Sequence, residues 1–377
     1  MQAIFENFGI YVHVPFCAAP CGYCRFYKRR ADGAEQARYV ELLAKEARLA
    51  RGELPESSVD TMFWGGGTPS SLSADSIERL ADALGDFRPK REWTVEVSPS
   101  TITREKLAAF KRIGITRISL GVQSFDERTL RSLGRAHTLR ATLDAIEAVH
   151  DENFPHFSID LIFGAKGQTK DMWIADLERA AQCPVDHISA YCLEFESGTS
   201  CCGGIGDDAE LEKREREGDF FETAMDKLPE LGFAQYEISN YAKDGGECLH
   251  NLSTWNMAMW RGFGPSAASQ CGGRRFANAA DFGKWARGIE SGDPQYENIV
   301  PLDDAEMLSS ALIFGLRMNR GVDMASLAKR FPRADIKKYS ESLDFLQSQG
   351  LLECSGEMIK LTRSGRLVAD SVAVELL

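Results

Sequence analysis

Between Phe8 and Leu193 the chain repeats one pattern five times, and a sixth strand-like run closes the series: a short run of β-branched and aromatic residues, a loop, then a stretch with apolar residues at helical spacing. The strand-like runs fall at 8–14, 59–64, 92–97, 117–122, 156–163 and 187–193. Helical patterns follow at 34–50, after the N-cap candidate Ser73, at 104–113, through Leu133 and from 140 to 150, and at 170–181. Strict alternation of this kind predicts an α/β fold with parallel strands, as an open sheet or a barrel. The unusual residues all fall at or just past strand ends. In a barrel those ends share one mouth, so motifs far apart in sequence meet there.

The first of these strand-end motifs is Cys17, Cys21 and Cys24, in the spacing C-x3-C-x2-C. A structural zinc site normally takes four ligands, often in two pairs. Here the next cysteine, Cys183, lies in a different predicted element. Three soft thiolates on one loop suit an iron–sulfur cluster that keeps one iron open to a substrate or cofactor. The second motif is the run Gly65-Gly66-Gly67-Thr68-Pro69 after the second strand, where bare backbone lets a ligand hydrogen-bond to the main chain. Glu96, Gln123, Arg135 and Asp160 sit at later strand ends or in the loops that follow. Each alone reads as a cap or a surface residue; together they can grip ribose hydroxyls and a zwitterionic amino acid. His250 lies in CLHNLSTWNMAMW, beside methionines and tryptophans. It reads either as a packed histidine in an apolar patch or as an axial ligand to a flat, iron-bearing macrocycle.

Bulk composition narrows the classes. A length of 377 residues with 44% hydrophobic and 27% charged content suits a globular chain of two or three domains. The net charge of −12 argues against general binding to nucleic acid or anionic membrane. No secretory signal or membrane-length apolar run is evident, and ten unevenly clustered cysteines point to reduced thiols, so a cytoplasmic location is expected. Cys201 and Cys202 read as loop thiols in a loop spanning 197–206, with a solvated helix start after it; Cys183, Cys192, Cys271 and Cys354 read as core packing. The division expected is 1–232 as the barrel, 233–298 as a mixed extension carrying His250, and 299–377 as a small, mainly helical, winged-helix-like domain with a hairpin across Ser355-Gly356.

The strings YVHVPFCAAPCGYCRF, WGGGTPSSLS, EVSPSTIT, RISLGVQSFDERTLRSLGRAHT, FSIDLIFG and YEISNYAKDGGECLHNLSTW together resemble radical S-adenosylmethionine proteins. Among these they are similar to the heme chaperones and their relatives, the oxygen-independent coproporphyrinogen III oxidases. The resemblance implies a partial (β/α)6 barrel with a [4Fe-4S] cluster on Cys17, Cys21 and Cys24. It implies S-adenosylmethionine on the open iron, surrounded by Tyr11, Tyr23, Gly66, Gly67, Thr68, Glu96, Gln123, Arg135 and Asp160. It makes His250 the implied ligand of heme as cargo. The implied partners are heme-accepting proteins, an electron donor if radical chemistry is used, and a membrane surface contacted peripherally during delivery. No nucleic acid is expected.

Three features tilt the resemblance toward the chaperones. The oxidases usually carry a cysteine where Phe26 stands, and a longer segment ahead of the cluster than the ten residues before Tyr11. Gly134-Arg135-Ala136-His137 and His250-Asn251 match chaperone motifs. The alternative is radical oxidation of a porphyrinogen propionate or of another substrate. The chain also departs from the family pattern. Thr254 replaces an aromatic residue in H-N-x-x-Y-W, Ala165-Lys166 replaces Leu-Pro in G-L-P-G-Q-T, and Arg25 stands where an acid is common, in a loop made basic by Lys28, Arg29 and Arg30.

Overall fold

In the computed structural model, the described residues are 8–18, 21–54, 59–193 and 207–377. The expected loop at 197–206, with Cys201 and Cys202, lies outside them, as do the side chains of 207–214 at the start of the charged run. Six strands form in the order expected: β1 (Phe8–Val14), β2 (Val59–Gly66), β3 (Glu92–Val97), β4 (Arg117–Gln123), β5 (His156–Phe163) and β6 (His187–Cys192). Between and after them run α1 (Gly33–Ala50), α2 (Ala74–Ala83), α3 (Arg104–Ile113), α4 (Glu127–Ser132), α5 (Leu139–Glu152) and α6 (Lys170–Gln182). The starts of these helices are legible in their caps. Asp32 closes a capping box, and Ser73, Thr103, Asp126, Thr138 and Thr169 each accept a first-turn N–H. Each such cap contributes about 1 kcal/mol.

β1 to β6 pair in sequence order and in parallel. Side chains alternate across the sheet, so the two faces can differ in chemistry. Ile10, Val12, Met62, Trp64, Ile118, Leu120, Ile159 and Leu161 are fully buried on the face under the helices. Each contributes roughly 1.5–3 kcal/mol by leaving water. The opposite face carries Thr61, Thr94, Glu96, Ser119, Ser158, Asp160, His187 and Ser189. Parallel strands buried on both faces are normally apolar throughout. Here the inner face is polar, and it curls round on itself. Tyr23, on the loop after β1, packs with Leu133, Ile162, Ala165 and Leu193, the last just past β6.

The sheet continues beyond these six strands at both edges. After α7 (Asp207–Glu230), β7 (Ala234–Glu237) and β8 (Asn240–Ala242) form a hairpin, and β8 pairs antiparallel with β6. The short helix α8 (Leu249–Trp255) follows, and the chain then crosses to the other edge. There β9 (Met259–Phe263) pairs parallel with β1. β10 (Ala268–Cys271) and β11 (Arg274–Asn278) are antiparallel additions, α9 (Phe282–Ser291) packs beside α1, and β12 (Tyr296–Pro301) closes the edge.

A second apolar core lies in the C-terminal part. It is built from α10 (Asp304–Leu316), β13 (Val322–Asp323), α11 (Met324–Arg330) and α12 (Ser340–Ser348), then the hairpin of β14 (Leu352–Ser355) and β15 (Met358–Leu361), and finally α13 (Arg363–Leu367) and α14 (Ala369–Glu375). The hairpin turns at Gly356, whose φ of 60° is the left-handed conformation that glycine adopts without strain. Ile238 and Met257 join this core from the preceding segment. Cys354 differs from the expectation of core packing: it is exposed, on the same face of β14 as buried Leu352 but at the turn end of the hairpin, beyond the core. Cys271 is buried as expected, and Cys183 and Cys192 are half-buried.

Candidate functional site

The polar inner face and the loops above it enclose a cavity of about 740 Å³, within the usual size range of ligand sites. It runs from the cysteine loop, past the C-terminal strand ends, down to Cys248 and Asn251 at the opposite end of the barrel. Cys17, Cys21, Cys24, Tyr23, Gly66, Gly67, Thr68, Glu96, Gln123, Arg135 and Asp160 all line it. Two of the residues picked from sequence do not: Tyr11, whose hydroxyl engages His13, and His250.

The cysteine loop is tied down at its base. Arg29 N–H donates to the Pro15 carbonyl at 2.7 Å, and Cys17 N–H to the Arg29 carbonyl at 3.0 Å. His13 Nε2 donates to the Tyr27 carbonyl at 2.8 Å. That fixes its tautomer, so its Nδ1 accepts from the Tyr11 hydroxyl at 3.2 Å. Burial, followed by the neighbouring thiols Cys24 and Cys21, raises the pKa of Cys17, although a hydrogen bond to Thr68 opposes this. The glycine run is needed for space. A Cβ on Gly67 would lie 2.7 Å from the Val14 carbonyl oxygen, and one on Gly65 would lie 2.8 Å from Glu96 Oε2. Gly66 has φ 98°, and its N–H donates to Glu96 at 3.2 Å.

Across the mouth, Arg135 donates to the Cys21 sulfur at 3.3 Å, to the Tyr23 hydroxyl at 3.4 Å and to the Gly121 carbonyl at 3.2 Å. Its buried Nε finds no partner among the described residues. Gln123 ends β4 with φ 70°, in the left-handed region that side chains other than glycine seldom adopt. Such strain gathers at ligand sites. Lower in the barrel, Asp160 accepts from Ser119 at 2.9 and 3.1 Å. Burial raises the Asp160 carboxyl, and burial together with nearby Asp160 lifts Glu96 to about 8. Two buried acids whose pKa values are raised, an orphaned guanidinium nitrogen and a glycine cradle suit a ligand carrying both charge and hydroxyl groups.

Among the described residues no three His, Cys, Asp or Glu side chains converge on a single metal ion. The donor chemistry fits a cluster nonetheless. Three thiols stand on one loop at one cavity, and the Arg135 guanidinium donates to the Cys21 sulfur.

His250 sits at the other end. α8 is seated on the N-terminal ends of β2, β3 and β4. Glu92, the first residue of β3, accepts N–H bonds from Leu249 at 3.1 Å and His250 at 2.9 Å, and pairs with buried Arg117 at 3.1 Å. The His250 ring turns into the barrel, where its Nδ1 meets the Thr61 hydroxyl at 2.9 Å and its face lies 5.3 Å from the Phe63 ring. His250 is 8% exposed, and burial lowers the pKa of its ring to about 4. Trp255 turns the other way, packing on Phe314 under Arg317. The apolar patch read from sequence is therefore divided between the barrel and the C-terminal core. Thr254, which replaces an aromatic residue, donates its hydroxyl to the His250 carbonyl at 3.0 Å.

Sequence reasoning missed Thr61, Glu92, Arg117 and His187. His187 bridges Ser158 at 2.7 Å and Tyr236 at 2.9 Å at the barrel floor. The signal was present: polar residues alternate along β3 to β6 as regularly as apolar ones.

The Radical SAM superfamily pattern matches residues 11–180, and the HemN C-terminal domain pattern matches 302–368. The heme chaperone HemW of Mycobacterium tuberculosis is 33% identical, over 99% of this chain and 95% of that one. The heme chaperone HemW of Bacillus subtilis is 31% identical, over 96% and 97%. The mitochondrial radical S-adenosyl methionine domain-containing protein 1 of Bos taurus is 30% identical, over 99% and 88%. The solved coproporphyrinogen III oxidase of Escherichia coli shares the fold at TM-score 0.84 and 20% identity, over 99% of this chain and 91% of that one. With likeness of this extent running from end to end, the chain belongs to the HemW family of radical SAM proteins.

Proposed function

We propose that this protein binds heme and passes it to acceptor proteins, using a barrel that also carries a [4Fe-4S] cluster and S-adenosylmethionine. The observation that carries this reading is the end-to-end likeness to relatives named heme chaperones. In this reading Cys17, Cys21 and Cys24 hold the cluster. Glu96, Gln123, Arg135, Asp160 and the backbone of Gly66 to Thr68 hold the S-adenosylmethionine, with Tyr23 bracing Arg135 and Tyr11 bracing the loop through His13. The cluster and S-adenosylmethionine together supply one-electron chemistry when bound. The protein's part is to orient them and to keep bulk water out of a cavity closed below by α8.

Heme ligation is assigned to His250. With α8 seated, its Nδ1 is engaged by Thr61. A histidine 8% exposed cannot meet a flat macrocycle where it stands, so ligation requires α8 to lift from the barrel floor, which frees the ring from Thr61. Among the described residues no helix is long and apolar enough to cross a membrane. Delivery to a membrane-bound acceptor would therefore use a peripheral contact.

The test is to add hemin to the purified protein, record the Soret band, and then follow transfer to an apo-acceptor. Binding lost in His250→Ala and kept in Cys17→Ala is the expected result, because the two sites lie at opposite ends of the strands. Heme binding unchanged in His250→Ala would remove that ligand. Anaerobic decarboxylation of coproporphyrinogen would overturn the chaperone reading in favour of an oxidase.

A further inference from the structure

The residues assigned to the cluster and to S-adenosylmethionine occupy the upper part of the cavity. Glu96 and Asp160 mark their lower edge, and the same polar inner face continues below them. Two residues earlier on these strands stand Thr94 and Ser158, about 7 Å nearer the floor, and both line the cavity. Thr94 is the register partner of Arg117 on β4, and Ser158 that of His187 on β6. Cys248 and Asn251, which flank His250, line this lower end too.

Arg117 is the cation of the lower end. Among the described lining residues the other cations, Arg25, Lys28 and Arg135, stand on the cysteine loop or against it. Arg117 is 1% exposed, yet its donors are not all used. Nε donates to Glu92 at 3.1 Å and Nη2 to the Glu247 carbonyl at 3.0 Å, while buried Nη1 has no partner among the described residues. Glu92 is itself divided, because it also accepts from Leu249, His250 and the Cys248 thiol. Beside Arg117 the Thr94 hydroxyl is buried and likewise without a partner among the described residues. Unpaired polar groups are costly inside a protein, and two of them side by side on a cavity wall point to a ligand that completes them.

A carboxylate completes both, taking Nη1 with one oxygen and the Thr94 hydroxyl with the other. Movement of the floor helix enlarges the offer. Lifting α8 carries away Glu247, two residues ahead of it, and frees Nη2 as well. Nη1 and Nη2 then form the end-on fork of the guanidinium, which matches a carboxylate in spacing and in charge. Heme carries such carboxylates on its propionate side chains, at one edge of an otherwise apolar ring. Phe63, 5.3 Å from the His250 ring, lines the cavity and gives that macrocycle an apolar surface. The Arg117 side chain and the His250 backbone are held on the two oxygens of one carboxylate, Glu92, so a single macrocycle can reach both residues.

We propose that Arg117 and Thr94 form a propionate subsite at the barrel floor, which takes one carboxylate of the heme whose iron His250 ligates. The inference rests on the reading that His250 is the heme ligand. It joins the opening of α8 to the recognition of cargo: the Glu247 carbonyl leaves the guanidinium, and a propionate takes its place. It also gives the site a preference for tetrapyrroles with free acids.

The test titrates the purified full chain with hemin and, separately, with hemin dimethyl ester, which has the same iron and ring but no free carboxylate. Wild type should bind hemin about tenfold or more tightly than the ester. Arg117→Lys keeps a charge facing Glu92 but loses the fork, so that preference should fall to about threefold or less. Thr94→Val removes only an unpartnered hydroxyl. Its apo form should melt at or above the wild-type temperature, while its preference for hemin narrows. A purely structural role for Thr94 would do the reverse, lowering the melting temperature and leaving the preference alone. Equal affinity for hemin and ester in the wild type would overturn the proposal, as would an undiminished preference in both variants. No Soret change with either compound would remove the heme reading and the subsite with it. Hemin binding that is equal in wild type and His250→Ala would remove the iron ligand alone, and a preference lost in Arg117→Lys would still support the subsite.

Discussion

Glu92 Oε1 accepts the backbone N–H of His250 at 2.9 Å, while Oε2 of the same carboxylate pairs with Arg117 at 3.1 Å. Burial alone would raise this carboxyl, but the Arg117 guanidinium and the N–H groups of His250 and Leu249 outweigh it and hold the pKa below the usual range. One side chain thus stands in for the missing side-chain cap of α8 and neutralises a buried cation. Replacing it as Glu92→Gln leaves Arg117 buried without its counter-charge, which costs about 3–5 kcal/mol. We expect a lower denaturant midpoint in the apo protein. We also expect faster heme capture in stopped-flow mixing, because the floor helix lifts more easily. A capture rate equal to wild type would show that α8 does not gate His250.

The Thr61 hydroxyl is the only side-chain partner found for the His250 ring nitrogens among the described residues. Thr61→Val keeps the shape and removes the hydrogen bond, leaving a buried ring nitrogen unsatisfied at a cost of about 1–3 kcal/mol. Thr61→Ser should restore stability. Because lifting α8 breaks this bond, Thr61→Val should also capture heme faster than wild type in stopped-flow mixing, and Thr61→Ser should return to the wild-type rate. Equal capture rates in all three would show that the Thr61 bond does not hold His250 down.

Much of the barrel was legible because its information is local. Alternation set the strands, Ser73 and Thr103 announced helix starts, and Gly65 to Gly67 marked a place where backbone must approach something closely. The cysteine loop and Glu96, Gln123, Arg135 and Asp160 were found by the same route, and they line one cavity, although Asp160 stands in the middle of β5 and Arg135 lies beyond α4. The seat of α8 was not legible. Glu92 and His250 stand 158 positions apart, and no periodicity links a carboxylate at the start of one strand to an amide at the start of a distant helix. The edge strands β7 to β12 were obscure for a related reason. They are short and carry mixed burial, so their pattern is set by the sheet they join.

Gly67→Ala probes the cradle by sterics alone. The added methyl would meet the Val14 carbonyl oxygen and the Pro15 carbonyl carbon at 2.7 Å, and both are backbone atoms that cannot swing away. Gly67 N–H also donates to that Val14 carbonyl at 2.9 Å, so the cysteine loop must shift to make room. We expect reconstituted iron per chain to fall below half of wild type and S-adenosylmethionine affinity to fall at least tenfold. Heme binding at the opposite end should be unchanged. Full iron loading in Gly67→Ala would mean that the loop is not fixed by this contact.

Glu96 gives a pH signature whose sign can be worked out. Its carboxyl ordinarily titrates near 4.5, and burial, then Asp160, lift it to about 8 in the fold, with the Gly66 N–H opposing. Between these two values the folded chain holds a proton that the unfolded chain has released. Stability falls with rising pH wherever the folded state binds more protons, so this residue destabilises the apo protein progressively across that window. Below it both states are protonated and the contribution vanishes. Glu96→Gln removes the titration while keeping the shape, so the apo variant should match wild type near pH 5 and melt at a higher temperature near pH 8. Melting curves whose pH dependence runs parallel in the two proteins would show that the Glu96 carboxyl is hydrated in the cavity and titrates as an ordinary acid.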